Sequence, residues 1–145
     1  MNWPPEPHLP GITPRPPEDQ FDAVKATLEG CETPDALAAS ACFIAGFEAF
    51  ERRYYWEAHE LWEPVWMQLP EGSREKALVQ GLIQLANAAL KRRMGRAKAA
   101  ERILLLADMA LDVGDSLMGV SPERLRGMRD IAQREVQYNA DLGLT

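Results

Sequence analysis

Tyr54-Tyr55-Trp56-Glu57-Ala58-His59-Glu60-Leu61-Trp62-Glu63-Pro64-Val65-Trp66 is the stretch that decides the fold. Wound at about 100° per residue, it separates into three faces. His59, Glu60 and Glu63 share one side, with His59 and Glu63 one turn apart. Tyr55, Trp62 and Trp66 form an aromatic flank beside them. Ala58, Leu61 and Val65 lie roughly opposite the carboxylates, and Glu57 is turned away from the His59–Glu63 pair. A carboxylate-rich face next to tryptophans is unusual for a solvated helix, so the segment marks a candidate site. Pro64 lacks the amide that would bond the Glu60 carbonyl, which kinks such a helix.

The neighbouring text is helical as well. Glu18 to Glu29 reads as a weakly amphipathic helix ending at Gly30. Thr33-Pro34-Asp35 is a start signal, and the apolar period then runs through Leu37, Ala41, Ile44, Phe47 and Phe50 as one helix. Ser73 caps a long helix to about Met94, Arg96 to Val113 forms another, and Ser121-Pro122-Glu123 opens a last one reaching about Tyr138. No alternating stretch bounded by turns reads as a strand. The expected fold is all-α: a single-domain helical bundle of about five to six mostly antiparallel helices. Residues 1–17 hold seven of the eleven prolines and read as an extended segment carrying Trp3, Leu9 and Ile12, either an arm that packs these onto the domain or a disordered tail. Residues 18–138 make the domain and 139–145 a tail.

With 145 residues the chain can close one core without a staple. Its 46% hydrophobic and 26% charged content is ordinary globular usage. The net charge of −6 opposes binding to nucleic acid, and no run of residues is apolar enough for a membrane span. Cys31 and Cys42 lack metal or redox spacing. No basic region precedes an apolar run at the start, so the expected compartment is the cytoplasm.

His59-Glu60-Leu61-Trp62-Glu63 copies a zinc-protease helix motif with glutamate as its second ligand. On that reading His59 and Glu63 hold a divalent metal, and Glu60 or Glu57 is the general base. A third ligand is missing; His8 or Asp108 would have to fold back to supply it. The competing reading makes His59 a hydrogen-bonded tie to Glu63 or to a neighbouring helix. Gln80, Gln84, Asn87 and Lys91, spaced four, three and four apart, share one face of the long helix. That face either looks at the His59 face or forms an exposed polar stripe.

Phe50, then Tyr55-Trp56-Glu57-Ala58-His59-Glu60, Glu63 and Trp66, followed by Gln80-Gly81-Leu82-Ile83-Gln84-Leu85-Ala86, resembles the two signatures of the family of domain of unknown function 309. Lys91, Gly95 and Ala100 continue the likeness, which spans about residues 43 to 107. The resemblance implies a small all-α bundle found in bacteria and archaea, with an inherited label of predicted metal-dependent hydrolase. Carried over by position, its candidate residues are Glu57, His59, Glu60, Glu63, Trp66, Gln80 and Gln84. Glu51 and Arg53 stand where the family usually has asparagine and glycine, which predicts a more continuous chain there than a tight glycine turn.

Two functions stay open at this point. One is a metal-dependent hydrolase built on His59, Glu63, Glu60 and Glu57. The other is a non-enzymatic helical module that binds a small molecule or a protein partner. In it Trp56, Trp62, Trp66, Gln80, Gln84 and Lys91 line the binding surface. A homodimer that exchanges these helix faces is a third expectation.

Overall fold

The structure, a computed structural model, describes residues 1–112 and 114–139. Among them it is all-helical, in the order α1 (Asp22–Lys25, continued by a 3-10 turn Ala26–Leu28), α2 (Pro34–Ala38), α3 (Ala41–Glu51), α4 (Tyr55–Gln68), α5 (Arg74–Arg93), α6 (Ala97–Ala110) and α7 (Pro122–Arg134). Long α5 is the central rod, and α4, α6 and α7 pack against it. Helix α3 lies on α4. None of the described helices is long and apolar enough to cross a membrane.

Two expected helices come out differently. The single helix read from Thr33 to Phe50 is two helices. Thr33 Oγ1 caps α2, but Ser40 Oγ then accepts the Phe43 amide at 3.1 Å and starts α3 afresh. A serine side chain that offers the backbone an alternative partner is a known way to interrupt a helix. The last helix stops at Arg134, short of Tyr138, because Glu135 adopts an extended backbone (φ −60°, ψ 146°). The weak first helix shrinks to Asp22–Leu28. The tail at 140–145 and Val113 lie outside the described residues.

The turn between α3 and α4 is tight after all. Tyr54 N–H bonds Ala49 O at 2.8 Å, and Arg53 N–H bonds Phe50 O at 3.1 Å. Arg53 carries φ +66°, a left-handed conformation that costs a residue with a Cβ about 1 kcal/mol or more. Gly95 makes the same turn after α5, with φ +78° and Arg96 N–H bonded to Lys91 O at 2.8 Å. Glycine is free to do this; arginine does it under strain, so something must favour Arg53 there.

Packing explains two small residues. A Cβ on Gly46 would stand 2.1 Å from Trp62 Nε1, so only glycine lets the Trp62 indole lie against α3. The indole N–H then donates to Phe43 O at 3.1 Å. Gly81 likewise admits Leu111 of the segment leaving α6. The core is a continuous apolar cluster through Phe43, Phe50, Tyr55, Leu61, Trp62, Leu78, Leu82 and Leu85, each essentially inaccessible to solvent.

The proline-rich arm packs back onto this core. Leu9 and His8 are buried, and the Tyr54 hydroxyl donates to Pro4 O at 2.6 Å. Trp3 is half-buried against Phe21 and Tyr54, whereas Ile12 stays exposed.

Candidate functional site

Helix α4 presents its polar side to α5. His59 Nδ1 lies 3.2 Å from Asn87 Oδ1, and His59 Nε2 lies 2.7 Å from Glu63 Oε2. The amide stripe of α5 therefore does meet the His59 face, but through Asn87. Gln80 and Gln84 are half-buried and, among the described residues, make no side-chain hydrogen bond; Lys91 is half-buried at the far end of the stripe. The side chains of His59 and Glu63 keep 31% and 50% of their exposure, so this chain sits at the rim of the bundle.

The other candidate residues of α4 have separate fates. Glu60 pairs with Lys25 at 3.8 Å instead of joining His59. Trp62, expected at a binding surface, is wholly in the core. Trp66 is half-buried, with Lys76 Nζ 4.2 Å from its ring centre. Trp56 is half-buried under the arm: His8 meets it edge-on at 4.8 Å, and the Arg15 guanidinium stands 5.4 Å over it. Beside it runs a cleft of about 110 Å³ between arm and bundle, whose lining includes Arg15, Pro17, Phe21, Lys25, Trp56 and Glu60.

Glu57 is the most unusual group of the set. It points away from His59, as the helical wheel requires, and is completely buried. Its Oε2 accepts the His8 backbone N–H at 2.9 Å, while Oε1 has no partner among the described residues. Burial pushes its pKa up to about 7 against the opposing pull of the His8 amide. A group placed behind the arm in this way cannot act as a base at the His59–Glu63 pair.

Sequence reading missed a second polar cluster. Glu135, in the segment after α7, accepts the Tyr55 hydroxyl at 2.5 Å and Arg53 Nε at 3.0 Å; its other oxygen accepts from Arg53 Nη2 and lies 3.7 Å from Arg93 Nη1. Arg93 also donates to Val136 O at 3.0 Å. The side chains of Glu135 and Arg93 are nearly inaccessible. Burial alone would raise the Glu135 carboxyl, but the bonds from Arg53 and Tyr55 outweigh it and hold the group below the usual carboxylate range. This ion pair is what holds Arg53 in its strained turn. The only available signal was the arginine itself, standing where the family usually has glycine.

Among the described residues the donor set does not complete a metal centre. A catalytic zinc takes three protein ligands, and His59 with Glu63 supplies two. His8 does fold back with the arm, yet its Nδ1 faces the carbonyls of Thr13 and Pro14 at 3.2 and 3.1 Å. Asp108 is held by Arg129 at 2.6 and 2.8 Å. Among the described residues no three His, Cys, Asp or Glu side chains group so as to hold a metal ion. The cysteines are free. Burial pushes the Cys42 thiol up to about 11, an inert setting for a nucleophile.

Compared with known proteins, the chain matches the family described as Domain of unknown function (DUF309) over residues 43–103, so the resemblance read from the two signatures holds for that stretch. No curated protein and no solved structure matches it.

Proposed function

We propose that the protein is a non-enzymatic helical binding module of the cytoplasm, in which the His59–Glu63–Asn87 chain fixes α4 against α5. Its ligand surface is the cleft over Trp56. The observation that carries this reading is that both ring nitrogens of His59 are already engaged by protein side chains, one from α4 itself and one from α5. A hydrogen-bonded chain across two helices sets register and is weak as a metal trap. The cleft supplies a tryptophan face with the cations Arg15 and Lys25 and the carboxylate Glu60 at its edge. That combination suits a small molecule with a planar group and an anionic group. Free thiols and a net charge of −6 support a reducing compartment and a ligand other than nucleic acid.

One observation favours the hydrolase reading: His59 Nε2 and Glu63 Oε2 converge on a solvent-accessible rim, where a metal with further water or ligand donors has access. Elemental analysis of untagged protein and of His59→Ala separates the two. The module reading expects no stoichiometric metal in either protein and a lower Tm for the variant. Stoichiometric metal that disappears in His59→Ala would overturn it in favour of the hydrolase.

A further inference from the structure

Helix α6 carries a second stripe that the fold leaves uncovered. Its inner face buries Ala100, Leu104 and Ala107. On the outer face Lys98, Arg102, Leu105 and Met109 follow one another, and Asp112 comes one residue after the helix cap at Leu111. Within the helix those spacings run four, three and four, the period of a coiled-coil seam, and Asp112 follows three residues on, just beyond the helix end. The middle of the stripe is apolar and open: Leu105 is 64% exposed, Met109 78% and the flanking Leu106 52%. Its ends carry opposite charge. Among the described residues neither Arg102 nor Asp112 has an ion-pair partner.

We propose that this face is where two copies of the chain meet, α6 lying antiparallel to the α6 of a second copy. The order of charges along the stripe selects the occupant and its direction. With a two-fold axis at the height of Ala107, Leu105 of one copy meets Met109 of the other, and Arg102 meets Asp112, all twice over as an isologous contact requires. The matched positions span about 15 Å, from Arg102 within α6 to Asp112 just past its cap. A parallel pair would instead set Arg102 against Arg102 and Asp112 against Asp112, and like charges so placed repel. The stripe is thus self-complementary in one orientation only. A contact of this length falls at the small end of specific interfaces, so the dimer is weak, with Kd on the order of 10–100 μM. It stands apart from the His59 face, so its test is independent of the binding-module reading.

Sedimentation velocity on the full chain across a concentration series tests the idea, with circular dichroism to confirm that each variant is folded. Wild type is expected to pass from monomer to dimer as concentration rises. Leu105→Asp should weaken the dimer at least ~10-fold, the effect of burying one unpaired charge in an apolar seam. Arg102→Asp and Asp112→Arg should each weaken it, and the double variant R102D/D112R should recover most of the loss, because the exchange restores the pairing. The proposal is overturned by a wild type that stays monomeric to about millimolar concentration, by a dimer indifferent to Leu105→Asp, or by a double variant no better than the single ones.

Discussion

The His59–Glu63–Asn87 chain and the Arg53–Tyr55–Arg93–Glu135 cluster both anchor α4 to the rest of the bundle, one along its length and the other at its N-terminal end. The first is half open to water and bonds neighbouring helices. The second is almost closed to water except at Arg53, and joins residues some 80 positions apart in the chain. The difference teaches that the visibility of a polar cluster in sequence runs opposite to its mechanical weight. Each part of the rim cluster lies on a helix with its own regular period, so its spacing is readable. A buried ion pair assembled from a turn, a helix end and a post-helical segment leaves no local pattern.

The comparison is most easily broken at Glu135. Glu135→Ala leaves the buried Arg93 without the carboxylate beside it and removes the contact that holds Arg53 in its left-handed turn. A loss of ~3–5 kcal/mol is expected by urea denaturation. A loss as small as that of a rim residue would erase the distinction. Because the Glu135 carboxyl is held low in the folded state, its contribution is present above the unfolded glutamate pKa of about 4.3. It is lost as pH falls through the lower folded value.

Glu57 titrates with the opposite sign. Its folded pKa of about 7 lies above the group's ordinary value of 4.5, so the folded state binds the proton more tightly and stability is full below that ordinary value. It should drain by roughly 3 kcal/mol as pH rises from there through neutrality. Urea midpoints measured from pH 5 to 8 should fall for wild type and stay nearly flat for Glu57→Gln. Equal slopes in the two proteins would show that the arm leaves Glu57 hydrated.

Asn87→Ala should cost about 1 kcal/mol, one net hydrogen bond to a partly exposed partner. Glu63→Gln is the smallest effect, about 0–0.5 kcal/mol and shrinking with added salt, since half of that side chain is open to solvent. A Glu63 effect larger than the Glu135 effect would invert the ranking.

Much of the fold was legible because its signals are local. Caps at Thr33, Ser73 and Ser121 mark real helix starts, and the three-faced wheel of α4 places Glu57 away from His59. Meeting of the amide stripe with His59 followed from the same periodicity, although Asn87 makes the contact while Gln80 and Gln84 do not. Ser40 was misread because one residue acted as a cap inside an otherwise unbroken apolar period. Trp62 was misassigned because an aromatic on a helix flank looks the same whether it faces a cleft or a neighbour; the deciding feature is Gly46 on α3, whose bare backbone makes room for the indole. The arm over Glu57 was beyond sequence reach, since a polyproline-like segment carries no periodicity that names its docking site.

A double-mutant cycle on His59→Ala and Asn87→Ala tests most directly whether this polar chain ties α4 to α5. The account predicts a coupling energy of about 0.5–1.5 kcal/mol between the two positions, with both single variants folded. Additive effects, with no coupling between them, would contradict it.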